Sequence, residues 1–207
     1  PYRRQRQMCI RDSCGAVQSN HCRLTLSWAV KEGLDCHLVL EERVPGSYRP
    51  EASGNNFLYQ LMGVSSISVV PGGSNMAAEM EKKAEMLRRE GRKPYIVPGG
   101  ASNPVGALGY VQCAQELMQQ MFEQGLNFDH IIVPSGSAGT HAGFLLGLLG
   151  CHMDIPVTGI GVNRKKPVQE EAVHKLMRDT AAYMGVSMDI PRDAVVAYDD
   201  YVGPGYS

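Results

Sequence analysis

The sequence predicts an α/β protein in which parallel sheets are covered by helices. Short apolar segments of strand length alternate along the chain with longer segments of helical composition. Glycine or proline separates most of these segments, and such alternation is typical of βαβ units. Hydrophobic residues make up 43% of the 207 residues, which is the share of an ordinary globular protein with a packed core.

Caps and breakers define the individual elements. Ser19 or Asn20 can cap the first helix, Gly33 ends it, and Gly91 ends a helix rich in Ala, Met, Glu, Lys and Arg. The predicted helices cover 19–32, 53–62, 76–90, 106–124, 142–149 and 168–184. The predicted strands cover 36–40, 67–70, 95–97, 130–133, 157–162 and 195–198.

The first thirteen residues do not fit this pattern. They carry four arginines and no periodic apolar face, so no strand is predicted there, and we interpret residues 1–13 as a non-native or unstructured end. Residues 14–106 are predicted to form a smaller α/β domain, and residues 107–207 part of a larger one.

Composition excludes several classes of function. A formal net charge of −1 gives no electrostatic reason to expect nucleic acid or an anionic membrane as a partner. No apolar run approaches the ~20 residues of a membrane span, and no signal-peptide pattern opens the chain. The six cysteines lack metal-ligand spacing and the histidines are dispersed, so reduced thiols, a cytoplasmic location and no metal site are expected.

A small-residue turn, Ser135-Gly136-Ser137-Ala138-Gly139-Thr140, is the most informative loop. It follows the apolar stretch 131–134 and precedes an apolar helix. A strand-to-helix turn of this kind directs backbone N–H groups at one point, where a phosphate is held well. It matches neither nucleotide motif, GxGxxG or GxxxxGK[ST], so a nucleotide is not the expected ligand. A tight packing turn is the alternative interpretation.

Three more loops lie at the carboxyl ends of predicted strands, where α/β proteins bind ligands. Residues 15–21 bring Gln18, Ser19, Asn20 and His21 to a helix N-terminus, and either a capped helix or an anion site fits them. Residues 99–104 form the next loop, and its small residues permit close backbone approach to a ligand. Residues 199–206 form the last loop, which contains two acids and two aromatics and fits a surface turn equally well.

Taken in order, the four loops resemble one enzyme family. The segments GAVQSNH, VPGGASNPVGALGY, VPSGSAGTHAG and DDYVGPGY are similar to the pyridoxal-phosphate enzymes of the 1-aminocyclopropane-1-carboxylate deaminase/D-cysteine desulfhydrase family. The resemblance covers residues 14–207. Within the family, PGGSNMAAEME, PVTGIGVNRKKPVQEEAVHKL and DYVGPGY resemble L-cysteate sulfo-lyases most.

The resemblance implies the two-domain fold of the tryptophan synthase β-subunit type (fold type II), with pyridoxal 5'-phosphate between the domains and both ends of the fold missing. The implied cofactor residues are Asn20 for the ring oxygen and Ser137, Ala138, Gly139 and Thr140 for the phosphate. The implied catalytic residues are Ser19 and Tyr206. The substrate would contact Gln18, Ser19 and His21, with Ser102 and Asn103 as further donors for a sulfonate.

The chain departs from the family at its lysine. The lysine that forms the Schiff base in the family lies in a GNK-type motif upstream of GAVQSNH, and no such motif occurs in residues 1–13. The lysines present lie in charged, helical or surface contexts. The chain therefore resembles an internal piece of the enzyme, inactive alone.

The expected reaction of the complete enzyme is β-elimination on a cysteine-type amino acid. The best match is L-cysteate, converted to pyruvate, sulfite and ammonia. D-cysteine desulfhydrase, which would release sulfide, and 1-aminocyclopropane-1-carboxylate deaminase are alternatives. A non-catalytic cofactor- or anion-binding fragment is the alternative from another class. The resemblance also implies a homodimer when the protein is complete.

Overall fold

A computed structural model describes residues 9–51 and 53–203, and of residues 9–11 the backbone alone. The strands are β1 (Cys9–Ala16), β2 (Asp35–Glu42), β3 (Ser66–Pro71), β4 (Lys93–Val97), β5 (Ile131–Ser135), β6 (Val157–Gly161) and β7 (Val196–Tyr198). The helices are α1 (Asn20–Lys31), α2 (Asn55–Leu61), α3 (Met76–Arg89), α4 (Pro104–Gln124), α5 (Gly139–Gly150) and α6 (Lys166–Tyr183). Single 3-10 turns lie at Gly99–Ala101 and Arg192–Ala194.

Every strand pairing described is parallel, so the predicted α/β class is confirmed. The chain divides into two compact units after Gly100, six residues before the domain boundary that the sequence predicts. No helix among the described residues is long and apolar enough to cross a membrane. The same residues contain no group of three or more His, Cys, Asp or Glu that could hold a metal ion.

The first unit contains a four-stranded sheet in the order β3-β2-β1-β4. Alternate residues of β2 point to opposite faces, because side chains alternate along a strand. Leu38 and Leu40 pack with Leu26 of α1 and Tyr59 of α2. Val39 packs on the other face with Met80 of α3. Helices therefore cover both faces of this sheet, as expected for parallel strands.

Strand β1 corrects the prediction for the start of the chain. Residues Ile10–Ser13 pair with both β2 and β4, so they lie inside the sheet, and the prediction that no strand occurs there is wrong. Asp12 and Ser13 are completely buried. Burial raises the pKa of Asp12 to about 6. Because polar residues occupy buried positions, the apolar pattern that marks a strand is missing from this stretch.

The second unit contains a three-stranded sheet in the order β5-β6-β7, with α4, α5 and α6 in its core. Helix α5 is buried on all sides over most of its length. Two of its glycines allow close packing on α4: a Cβ at Gly143 would lie 2.3 Å from the carbonyl oxygen of Ala107, and one at Gly147 would lie 2.6 Å from Cβ of Ala114. This close packing fixes the helix whose N-terminus forms the small-residue turn.

Candidate functional site

The turn between β5 and α5 forms a cradle of backbone N–H groups. Ala138 caps α5 with a left-handed backbone (φ 82°, ψ −25°) and no side-chain cap bond. The first bond of the helix is donated by Ala142, so the N–H groups of Thr140 and His141 have no intrahelical acceptor. Among the described residues, the hydroxyls of Ser137 and Thr140 make no hydrogen bond. These donors lie at the N-terminus of α5, where an anion gains from the helix dipole.

Ser102 belongs to the same cradle. Its Oγ accepts a 3.0 Å hydrogen bond from the backbone N–H of Gly139, the first residue of α5. Since the oxygen accepts, the hydroxyl proton remains available for donation. The structure thus places Ser102 at the predicted phosphate turn, whereas the sequence assigned it to the substrate. A substrate contact of Ser102 stays a prediction.

Asn103 caps a different helix. Its Oδ1 accepts from the backbone N–H of Gly106 at 2.8 Å, which makes it the N-cap of α4. Asn is among the favoured N-cap residues because its side chain satisfies a donor of the first turn. The structure gives Asn103 this capping role, and its predicted contact with substrate is not tested by it.

A buried polar network lies at the end of β5, in the same unit as the turn. Gln169 donates from Nε2 to Oγ of Ser135 at 2.8 Å, and Ser135 Oγ lies 3.1 Å from Nδ1 of His141. All three side chains are essentially inaccessible. Burial lowers the pKa of His141 to about 4, so its imidazole is neutral near pH 7.

Only one ring nitrogen of His141 takes part in this network. Ser135 Oγ accepts from Gln169 and has both a proton and a second lone pair left for Nδ1, so this bond forms with either neutral tautomer of the ring. Nε2 is buried without a hydrogen-bond partner in the described part of the chain. His141 was not singled out in the sequence analysis. The signal available there was a histidine in the first turn of an otherwise apolar helix.

The loop before α1 presents Gln18, Ser19 and Asn20 together in the first unit. Ser19 is the N-cap of α1, and its Oγ accepts from the N–H of Cys22 at 3.2 Å. A Cβ at Gly15 would lie 2.5 Å from Ser19 Oγ, so only glycine fits beside this hydroxyl. Of the two interpretations of the loop, the structure shows the capped helix. The anion site, with the catalytic role of Ser19, remains a prediction.

Helix α2 holds this loop through Asn55, a residue that the sequence analysis missed. Asn55 Nδ2 donates to the carbonyl oxygen of Gln18 at 2.6 Å and to Oδ1 of Asn20 at 3.0 Å. The backbone N–H of Asn55 donates to Gln18 Oε1 at 2.7 Å. Because Asn55 lies 35 or more positions from both partners, no local pattern could reveal the contacts.

His21 turns back toward the sheet. Its Nε2 lies 2.8 Å from Oγ of Ser13 on β1. Burial lowers the pKa of His21, although a hydrogen bond with the backbone of Pro98 opposes the effect. A neutral imidazole accepts or donates a hydrogen bond but adds no charge for a substrate anion. Its predicted contact with substrate is not tested.

The last predicted loop is only partly described. Asp199 accepts from the N–H of Lys166 at 3.1 Å and thus caps α6. This bond, together with Lys165, lowers the pKa of Asp199. Asp200 and Tyr201 are exposed. Tyr206, the second predicted catalytic residue, lies outside the described residues.

Comparisons with known proteins identify a matching family and related sequences. A family model described as pyridoxal-phosphate dependent enzyme matches residues 4–207. The D-cysteine desulfhydrase of Yersinia enterocolitica is 36% identical over 195 residues, which is 94% of this chain and 58% of that protein. That of Klebsiella pneumoniae is 35% identical over 196 residues, with the same coverage of 94% and 58%.

Solved structures agree with this similarity. The crystal structure of an ACC deaminase homologue matches with a TM-score of 0.77 and 34% identity, over 94% of this chain and 57% of that one. A threonine deaminase from T.th. matches with a TM-score of 0.52 and 18% identity, over 75% and 45%, and shows the fold alone. These neighbours have the predicted fold type II. The chain spans about 58% of the curated relatives that it matches.

Proposed function

The chain belongs to the family of pyridoxal-phosphate-dependent enzymes, and from that premise we propose that a whole protein containing it is a carbon–sulfur lyase acting on D-cysteine. The products are sulfide, pyruvate and ammonia. Two relatives at 36% and 35% identity that carry the name D-cysteine desulfhydrase support this substrate. Because the chain spans 58% of those relatives, the activity is proposed for the whole protein.

The observation that carries the proposal is the cradle at the N-terminus of α5. Ser137 and Thr140 offer two hydroxyls there, Thr140 offers a backbone N–H group without an intrahelical acceptor, and Gly139 is linked to the hydroxyl of Ser102, next to the left-handed Ala138. A phosphate dianion needs this kind of donor set and benefits from the helix dipole. The residues present therefore fit the phosphate of pyridoxal 5'-phosphate.

The loop at Gln18, Ser19 and Asn20 is proposed to serve the reacting end. Asn20 donates from its amide to the phenolic oxygen of the ring, and the Ser19 hydroxyl binds the substrate carboxylate or assists proton transfer. Gln18 and His21 line the same pocket, and Tyr206 faces the substrate. When bound, the cofactor supplies an electron sink for the pair released as the Cα proton leaves.

L-Cysteate is the second candidate substrate, favoured by the resemblance of three segments to L-cysteate sulfo-lyases. Its sulfonate is a permanent anion that needs additional donors, for which Ser102, Asn103 and His21 are the predicted residues. Two of these side chains already accept hydrogen bonds from helix N-termini. The Ser102 hydroxyl proton and the Asn103 Nδ2 group remain free to donate, so these contacts do not decide between the two substrates. D-cysteine is preferred because of the names of the two relatives.

Product analysis tests the substrate. The whole protein containing this chain is incubated separately with D-cysteine, L-cysteate and 1-aminocyclopropane-1-carboxylate. Sulfide from D-cysteine with pyruvate in equal amount is expected. Sulfite from L-cysteate alone would move the assignment to the second candidate, and 2-oxobutyrate from the cyclopropane substrate to the third. No product from any of them would refute an enzymatic role.

The phosphate cradle is tested on the chain itself. Pyridoxine 5'-phosphate has the phosphate but no aldehyde, so its binding needs no lysine. Ser137→Ala and Thr140→Val each remove one hydroxyl donor and should weaken binding about three- to tenfold, the value of one hydrogen bond. Ser187→Ala, an exposed serine in the same unit, is the matched control. Equal affinity in all variants, measured by calorimetry, would contradict the assignment.

A further inference from the structure

We propose that Asn55 is a positioning residue for Asn20: it binds the amide oxygen of Asn20 and so leaves the amide N–H₂ as the group that faces a ligand. The inference rests on the proposed function, in which Asn20 donates a hydrogen bond to the phenolic oxygen of the pyridine ring. Asn55 itself touches neither substrate nor cofactor in this proposal.

The orientation of the Asn20 amide follows from its neighbours. Asn55 Nδ2 lies 3.0 Å and Arg23 Nη2 lies 3.4 Å from the same atom of Asn20. Both neighbours are donors, since an amide nitrogen and a guanidinium cannot accept. The atom between them is therefore the oxygen, Oδ1. Asn20 Nδ2 has no acceptor among the described residues, and it remains as a donor.

A donor is the group that the proposed ligand requires. The phenolic oxygen of the pyridine ring is an acceptor in its ionised form, and a hydrogen bond to a charged acceptor is stronger than a neutral one. A reversed amide would present its oxygen instead, and two acceptors would oppose each other. The orientation set by Asn55 thus decides whether Asn20 attracts or repels the ring oxygen.

The orientation of Asn55 is in turn fixed by its own backbone. Gly54, which precedes it, has φ 73° and ψ −144°, a conformation that is essentially restricted to glycine. A Cβ at Gly54 would also lie 2.8 Å from Oε1 of Gln18, the atom that accepts the Asn55 N–H. The Tyr59 hydroxyl, one turn further along α2, donates to the carbonyl oxygen of Ser19 at 2.9 Å. Helix α2 therefore holds three consecutive residues of the loop.

Asn55→Asp tests the positioning role. Aspartate has the shape of asparagine and suits the first turn of a helix, but it also lacks the donor for the Gln18 carbonyl oxygen, so a urea unfolding curve of the variant accompanies the binding data. It offers Asn20 an acceptor in place of a donor, which favours the reversed amide. Ser53→Ala is the matched control, because Ser53 contributes its backbone carbonyl to this cluster.

Two probes measure the effect on binding: pyridoxine 5'-phosphate and its 3-deoxy analogue, which lacks the ring hydroxyl. Asn55→Asp should weaken binding of the first about three- to tenfold and leave the second unchanged. Ser53→Ala should change neither. Equal weakening of both probes would assign Asn55 a merely structural role, and no weakening of either would also overturn the inference.

A measurement without ligand keeps the two proposals apart. In the free chain, ¹⁵N relaxation of the Asn20 side-chain amide should show an ordered group that becomes mobile in Asn55→Ala and stays ordered in Ser53→Ala. A disordered amide in the parent chain would overturn the inference. If the parent chain binds neither probe, the proposed function fails, and this relaxation result alone decides the role of Asn55.

Discussion

The neutral imidazole of His141 connects the end of β5 with the first turn of α5. Its Nδ1 lies 3.1 Å from Oγ of Ser135, and its ring fills the space beside Gly159, where a Cβ would lie 2.5 Å from two ring atoms. A ring enclosed on these sides cannot be hydrated, so protonation costs free energy. The geometry of the turn therefore depends on an uncharged histidine.

This burial predicts acid sensitivity. The pKa of His141 is lowered from 6.5 to about 4 in the folded chain, so the unfolded chain binds the proton more readily. Its stabilising contribution is complete above about pH 6.5 and is lost as the pH falls toward 4, by roughly 2–3 kcal/mol at about pH 4.5. His141→Gln should remove this part of the pH dependence, measured by urea unfolding at several pH values. His130→Gln, an exposed control, should keep it; parallel curves for parent and His141→Gln would contradict the explanation.

Sequence reasoning succeeded at single residues when the contact was local. Ser19 was recognised as a helix cap because its acceptor geometry depends on residues three positions away. Asn55 and the contact of Ser102 with Gly139 were not found, since both join residues more than 30 positions apart. Small-residue composition indicated the turn at 135–140, but the left-handed Ala138 is visible only in the structure.

At the scale of elements, the close packing of α4 against α5 depends on glycines of α5, which have no side chain. Gly143 and Gly147 face the backbone and side chains of α4. Burial of the surrounding apolar residues stabilises this pair, and a close approach also increases the dispersion contacts between the two helices. The N-terminus of α5, and with it the cradle, is positioned by this packing.

Two glycine substitutions should therefore have opposite effects. The added Cβ of Gly147→Ala would lie 2.8 Å from the carbonyl oxygen of Val111, so α4 and α5 must separate, at a cost of about 1–3 kcal/mol. Gly109→Ala adds a methyl group where nothing lies within 4 Å and should stabilise α4 by about 0.5–1 kcal/mol. Chemical denaturation measures both. Stabilisation by both substitutions would show that the helices are not closely packed.

Among the elements, β1 shows where sequence periodicity fails. The other strands contain short apolar runs bounded by turns, and these runs predicted their positions. Strand β1 instead buries Asp12 and Ser13 between two neighbours. Because a strand is recognised by the side chains it buries, a central strand with polar residues cannot be distinguished from a loop without its partners.

At the scale of the whole molecule, the alternation of strands and helices was sufficient to predict parallel sheets. Connections between parallel strands in one sheet require a crossover, and a helix of the observed length provides it. The order of strands within each sheet was not predictable in the same way. Neither β3-β2-β1-β4 nor the division after Gly100 follows from local pattern, because both depend on contacts between distant segments.

At the scale of the whole chain, we expect pyridoxal 5'-phosphate to react with no single preferred lysine. The described lysine side chains include exposed ion pairs, such as Lys175 with Asp179 at 2.5 Å and Lys166 with Glu170 at 3.7 Å, and Lys31 lies 4.4 Å from the ring of Trp28. None of these contacts distinguishes one amine as a selective nucleophile.

Borohydride reduction tests this expectation. The chain is mixed with an equal amount of pyridoxal 5'-phosphate, reduced, digested and analysed by mass spectrometry. Partial labelling spread over the seven lysines is expected, with a similar distribution in urea-denatured chain. Complete labelling of a single lysine in the folded chain would contradict the prediction. That outcome would identify a reactive amine, and the proposed enzyme would then contain its covalent partner within these 207 residues.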